Sequence, residues 1–438
     1  MKRFTTLLLV LLLSLSFSAC SGKQEDKQTV SINIKLPMLT FAPLCDDECK
    51  ESSHFLSKAF AAFVEQYDKY NVEYTVSNFE QTDYDKAFRD AYGTDDAPDL
   101  TFGGYFAMSG YIYDGHVVPL DDIITDEIRA DFSQGSWDQS KGSNGKTYLM
   151  PFYGLQNILQ YNKDMFIECG LQDYVSDEEV IQSWTLNQWE TILSTLREKL
   201  PDTSYPMMMY AKNNQGDTHT MVILRCMGSN FFDENGLVNL STKEGIAGLQ
   251  WIKDNYDKGY YPNNAQDIAV SDCYELFQNG QLGIYIWNTG IASYEYNFNV
   301  GYVNFPSSDA NGANSNWISG FMAFDNGDDK KIEVVKDFLT YVYTTDEWLN
   351  YGSAGLPCSK AVANRYADQI PLGSELSKND KYAVNFTANN PNWPAVREAF
   401  WPHIYALLNG DETAQEAAKG LDEDCNKAIN SGTRILHE

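Results

Sequence analysis

Side chains able to hold a metal, attack a carbon or carry a proton in a recognisable pattern are scarce in this 438-residue chain. Its five histidines, His54, His116, His219, His403 and His437, never recur at i, i+3 or i+4, so no helix face offers a paired imidazole site. His-Glu-x-x-His, Gly-x-Ser-x-Gly, a Walker loop and Gly-x-Gly-x-x-Gly are all missing. Asp325 to Asp329 and Asp233 to Gly236 look superficially like calcium loops, but neither completes the ligand spacing with a terminal Glu, and turns are the better reading. No motif asks for a metal or any other cofactor. Among the cysteines only Cys45 and Cys49 are close in sequence, with His54 as the one further ligand nearby. That is too few for zinc, and leaves a local disulfide or two thiols. Cys169, Cys226, Cys273, Cys358 and Cys425 are scattered, as buried small hydrophobes are. What the chain has in quantity is rings: 23 Phe, 9 Trp and 28 Tyr.

The remaining cysteine, Cys20, has a different chemistry. Lys2 and Arg3 precede an apolar run from Leu7 to Leu13, which is too short and wrongly flanked for a stable membrane-spanning helix. Phe17-Ser18-Ala19-Cys20 then resembles a bacterial lipobox, with Phe where Leu is usual. The resemblance implies cleavage after residue 19 and a diacylglycerol on the Cys20 sulfur. Two or three acyl chains hold stably, at about 0.8 kcal/mol per buried CH₂. Residues 21–28 are polar and read as a flexible tether. The expected product is a body anchored by lipid on the outer face of the cell membrane.

Composition bounds that body. At roughly 100–200 residues per domain the chain holds two or three units, and 43% hydrophobic residues exclude a disordered chain. The formal charge of −29 excludes a nucleic-acid partner, which needs a positive surface, and argues against anionic lipid headgroups.

The elements follow from periodicity. Val30 to Leu36 alternates as a strand, and residues 51–69 carry Phe55, Ala59, Phe60 and Phe63 at helical spacing. A strand at Val72–Val76, a helix at Tyr84–Tyr92 and a third strand after Ala97 complete a β-α-β-α-β run, hence a parallel sheet with covering helices. Ligands of such sheets bind beyond the carboxyl ends of the strands, here Met38–Pro43, Ser77–Gln81 and Gly103–Phe106. Leu149–Tyr153 and Ile158–Asn162 read as extended chain crossing between lobes. Leu282–Trp287 and Val300–Phe305 read as strands, and residues 185–199, 241–258, 331–343, 394–408 and 413–429 as helices.

Six fragments in this order resemble the family 1 extracellular solute-binding proteins of carbohydrate ABC transporters, the maltose-binding type. They are Ala97-Pro98-Asp99-Leu100, Gly110 to Leu120, Pro151 to Phe166 with Tyr161-Asn162-Lys163-Asp164-Met165-Phe166, Asn279 to Tyr285, Leu356-Pro357 and Leu408-Asn409-Gly410. The resemblance covers about residues 30–430, with the fragments themselves running from Ala97 to Gly410. The resemblance implies an α/β, two-lobed, periplasmic-binding-protein-like type II fold with an interlobe cleft. Residues 29–152 and 298–326 would form the N-terminal lobe, and 153–297 and 327–438 the C-terminal lobe. It further implies a carbohydrate ligand, ABC permease subunits as partners, and a monomer.

A sugar offers apolar faces and a rim of hydroxyls, which aromatic rings and amides or carboxylates match. Phe41, Gln81, Tyr105 and Phe106 lie at strand ends, Tyr153 and Gln156 flank the first crossover, and Trp287 and Asn288 end a strand. On the family's architecture these positions border the cleft. Trp317 stands in a segment the family turns toward ligand, and Trp393 aligns with an aromatic that stacks on sugar. Thiaminase-type enzymes share the architecture and carry a nucleophilic Cys at the first crossover, where this chain has Leu155. A non-sugar solute such as a polyamine, peptide or vitamin is the alternative ligand, and no catalysis is expected.

Overall fold

Alternation in Thr29–Leu36 produces strand β1, whose Val30, Ile32, Ile34 and Leu36 are buried. The computed structural model describes residues 27–37, 52–79, 84–289, 295–307, 314–345, 348–349, 355–384, 390 and 392–431. Cys20, Phe41, Cys45, Cys49 and Gln81 lie outside these. Helix α1 (Ser52–Gln66) buries Phe55, Phe60 and Phe63 on one stripe. Then come β2 (Asn71–Asn78), α2 (Tyr84–Ala91), β3 (Leu100–Gly104) and α3 (Tyr105–Asp114). β1 pairs in parallel with both β2 and β3, as the β-α-β-α-β order requires.

The crossing segment is one strand, β4 (Met150–Asn162), almost wholly buried. At roughly 3.4 Å per residue it reaches about 40 Å, enough to run from one lobe into the other. Further along lie α4 (Leu186–Lys199), β5 (Tyr205–Met207), α5 (Asp217–Cys226), α6 (Lys243–Asp257), β6 (Leu282–Asn288), β7 (Val300–Val303) and β8 (Asn314–Ala323). The first half of β4 pairs antiparallel with β8, which also pairs with β3. Its second half pairs with β6 and β7. The order β2-β1-β3-β8-β4-β6-β5 therefore carries a single hydrogen-bonded sheet through both lobes.

Helices α7 (Asp329–Thr344), α8 (Trp393–Asn409) and α9 (Ala414–Asn430) complete the frame. Thr185 and Thr413 cap α4 and α9 in reciprocal boxes with Gln188 and Glu416, the signature of a Thr followed three residues later by Gln or Glu. Gly327 and Gly236 take positive φ (82° and 77°) in Asp-anchored turns, which accounts for both calcium-like stretches.

The lobe boundaries need correction. α7 buries Val334, Val335, Phe338, Leu339 and Val342, the stripe its spacing predicts. It packs that stripe on the N-terminal lobe, however, with the Phe338 ring 4.7 Å from Phe60, and Lys331 joins it there to Asp99. Residues 329–344 thus sit with the first lobe. β7 pairs with the second half of β4 and with Ile181–Gln182, so 300–303 sit with the second. Periodicity reveals a stripe but not the surface that covers it. Cys169, Cys226, Cys273, Cys358 and Cys425 are free and buried. Among the described residues no helix is long and apolar enough to cross a membrane.

Candidate functional site

The junction between the lobes is built from the ends of α3, α5 and α8 above the strands that join them. α3 follows β3 without a loop, which sets Tyr105 and Phe106 at the sheet edge, their rings 4.3 Å apart. α8 approaches it from the second lobe: Trp393 N donates to Ser109 Oγ at 3.2 Å. Gly110 permits the approach, because a Cβ there would stand 3.1 Å from Pro394 Cγ and 2.8 Å from an Arg89 nitrogen. One turn along α8, the Arg397 guanidinium lies over the Phe106 ring at 5.4 Å.

Asp217 opens α5, where the helix dipole favours a negative charge, and it is 1% exposed. It accepts from the Trp393 indole Nε1 at 3.2 Å, and Arg397 Nε stands 2.9 Å from its Oδ2. A ring, a guanidinium and a carboxylate are thereby locked together beside Phe106.

The floor consists of Asn157 on β4, Asn288 on β6, and Ser315 and Trp317 on β8. Strand register places them on one face, since Asn157 lies opposite both Asn288 and Ser315, and Leu155 opposite Trp317. Asn157 Oδ1 accepts from Ser315 Oγ (2.6 Å) and from Trp317 Nε1, while its Nδ2 donates to Asn288 Oδ1. The Trp317 ring meets Phe106 edge-on at 4.1 Å. A cavity of about 480 Å³ opens at Phe106 and Arg397, lined also by Arg89, Asn214 and Glu398 and not by the four floor residues.

Deeper in the second lobe, His219 and Tyr210 are hydrogen-bonded to one another and buried. Burial pushes the imidazole down to about 4 and the phenol well above its ordinary range. Both are neutral at neutral pH.

Of the residues expected at the cleft, the structure gathers Tyr105, Phe106, Asn288, Trp317 and Trp393 around this junction. Trp393 is only 1% exposed, so its ring is packed rather than presented. Three others are elsewhere. Tyr153 packs 5.7 Å from Phe102 inside the first lobe, and burial pushes its hydroxyl up to about 12. Gln156 is one residue out of phase with Asn157. It faces the back of the sheet, where Nε2 donates to Leu376 O (2.9 Å) and Oε1 accepts from Asn379 Nδ2 (3.0 Å). Trp287 alternates with Asn288 onto that same back face and packs on Tyr302 at 5.3 Å.

Asp217, Arg397, Asn157 and His219 do not stand out in the sequence as ligand groups. Two of them carry a signal: Arg397 follows Trp393 by four positions on one helix face, and Asn157 adjoins Gln156. Asp217 is one acid among 61 and His219 lies in no motif, so neither carried a mark.

A model of the bacterial extracellular solute-binding protein family matches residues 54–347. The diacetylchitobiose binding protein DasA of Streptomyces coelicolor is 22% identical over 355 residues, covering 77% of this chain and 79% of its own. A putative binding protein of Brucella abortus is 22% identical over 190 residues, and this chain spans only 43% of its length. In structure, the cyclic alpha-maltosyl-1,6-maltose binding protein of Arthrobacter globiformis matches with a TM-score of 0.69 at 20% identity, over 92% of this chain and 100% of that one. The motif resemblance, the two-lobed α/β architecture and the family match converge: the chain belongs to the bacterial extracellular solute-binding protein family.

Proposed function

We propose that this protein is a receptor of an ABC importer that closes its lobes on a carbohydrate, an oligosaccharide by preference, and delivers it to the permease. One observation carries the reading. The Phe106–Trp317 ring pair of the junction stands beside the partly exposed Arg397 guanidinium and the exposed Asn288 amide, which together can serve hydroxyls in both senses. An apolar face beside paired donors and acceptors is the chemistry of a sugar. The names of relatives, which include a diacetylchitobiose binder and a cyclic maltosyl-maltose binder, support the same class. The cleft asks for no covalent step, and the role is binding alone.

A thermal-shift screen of mono- and oligosaccharides, polyamines, peptides and thiamine analogues tests it. A sugar present at 100 times its Kd adds about 2.7 kcal/mol, a visible upward shift in Tm. Phe106→Ala and Trp317→Ala then lower affinity by about tenfold each, read by titration calorimetry. A response confined to a polyamine or a vitamin would overturn the carbohydrate assignment and leave a receptor for another solute.

Lipid on Cys20 holds the body at the membrane in this reading. Cys20→Ser accordingly moves the protein from the membrane fraction to the soluble fraction and abolishes incorporation of labelled palmitate. Retention of the label in that variant would reject the anchor.

A further inference from the structure

His219 has a polar atom that the structure itself serves poorly. It lies in the first turn of α5, is 5% exposed, and shares a hydrogen bond between its Nδ1 and the Tyr210 hydroxyl. The other ring nitrogen, Nε2, is shut off from solvent and lies against the Asn288 side chain, its only contact with that amide being a poorly aligned hydrogen bond. Asn288 Oδ1 is already engaged by Asn157 Nδ2. A buried nitrogen so poorly paired is the exception in native proteins, and an apolar side chain would fill the space without desolvating one. Its neighbours are the groups of the junction: Asn288, whose side chain is exposed, and the Asp217–Arg397 pair from the same turn of α5 and from α8.

Protonation is bounded by the surroundings. Tyr210 is 3% exposed and burial keeps its phenol protonated, so its hydroxyl either donates to Nδ1, which leaves the ring proton on Nε2, or accepts from Nδ1–H. Among the described residues the charged or titratable groups near the ring are Tyr210, Asp217 and Arg397. Burial holds the imidazole neutral, with the Arg397 charge adding to it and the Asn288 contact opposing it.

We propose that His219, with the Tyr210 hydroxyl donating to Nδ1, is a specificity-determining donor of the cleft, presenting Nε2–H to an acceptor oxygen of the bound sugar once the Asn288 side chain turns aside. The proposal rests on the carbohydrate being held at the junction as argued above. A neutral N–H donates to a hydroxyl or carbonyl oxygen and opposes an ammonium group at the same point, because two donors then meet. It also selects for hydrogen-bond pattern without adding attraction for anions.

Two measurements on the purified protein test this. Long-range proton–nitrogen NMR of ¹⁵N-histidine protein, with the His219 signals identified by their loss in His219→Gln, reads the tautomer without ligand. The expected result is a protonated Nε2 and a bare Nδ1, unchanged from pH 5 to 8. The opposite tautomer, or a midpoint near 6.5, would overturn the proposal. Calorimetric titration with N,N′-diacetylchitobiose and maltotriose reads the function. His219→Ala should weaken whichever probe binds by about tenfold, His219→Gln, which keeps an N–H donor, should recover most of it, and Tyr210→Phe should cost about threefold. Unchanged affinity in His219→Ala, or equal losses for Ala and Gln, would reject the donor role. If neither sugar binds the unaltered protein and another solute does, the carbohydrate reading fails, and the same variants titrated with that solute decide the role of His219.

Discussion

Asp217 holds a carboxylate where water reaches 1% of the residue, and its tolerance of that position depends on Arg397 and the Trp393 indole. Removing one partner of a buried pair strands the other, at about 3–5 kcal/mol. Arg397→Met should therefore lower unfolding stability by about that amount in urea titration, because it strands the buried carboxylate, whereas Asp217→Asn strands only the partly exposed Arg397 and costs less. Equal stability of Arg397→Met and the unaltered protein would mean that the pair contributes nothing. His219 makes a second prediction at this scale. Its imidazole binds a proton at about 4 in the folded protein and at 6.5 in the unfolded chain. The unfolded state thus holds the extra proton between those values, and stability falls as pH drops through that window, by about 3 kcal/mol in all. His219→Gln should remove that part of the pH slope, measured as urea midpoints from pH 7 to 4. An unaltered slope would place the proton uptake elsewhere.

The strands β4 and β8 join the lobes, and at Gly320 there is no room between them for a side chain. A Cβ there would stand 1.9 Å from Met150 O, beside the register shift between Pro151 and Tyr153. Backbone cannot yield as a flexible side chain can, so Gly320→Ala should disrupt the ribbon. The expected outcome is poor folding, or a loss of more than about 3 kcal/mol in thermal melts. The same ribbon shows what was legible in the sequence. The alternation of β1, the extended run of β4 and the stripe of α7 all read correctly, because each is set by local periodicity. The face that Gln156 and Trp287 present was not legible. A shift of one residue reverses inside and outside, and only pairing with Asn316 and Ile158 decides it. The partner of α7 was hidden for a similar reason, since the first-lobe surface it covers is formed by residues from α1 and β1 far back in the chain. Asp217 and His219 escaped because their roles exist only when α5 meets α8 and β6.

At the scale of the molecule the lobes meet where α3 faces α8, through Ser109 to Trp393 and through the bare surface of Gly110 against Pro394. A bulky residue at 110 is a wedge between lobes. Gly110→Leu should shift the population toward an open form, with a larger radius of gyration in X-ray scattering and an affinity for ligand reduced about tenfold or more. A compact protein with unchanged affinity would show that this contact does not govern closure. The charge of −29 acts at the same scale: it keeps the body soluble and repels anionic surfaces, while the cations Arg89 and Arg397 stay at the junction.

One feature of the sheet bears on how the protein is made. β3 finds its neighbour β8 more than two hundred residues further along the chain, and α7, which closes the first lobe, comes later still. The N-terminal lobe therefore cannot complete its sheet until most of the polypeptide has been synthesised. Pairings so distant form slowly. A nascent chain of this kind has to reach α7 before its first lobe can close, so the two lobes are expected to fold together rather than one after the other.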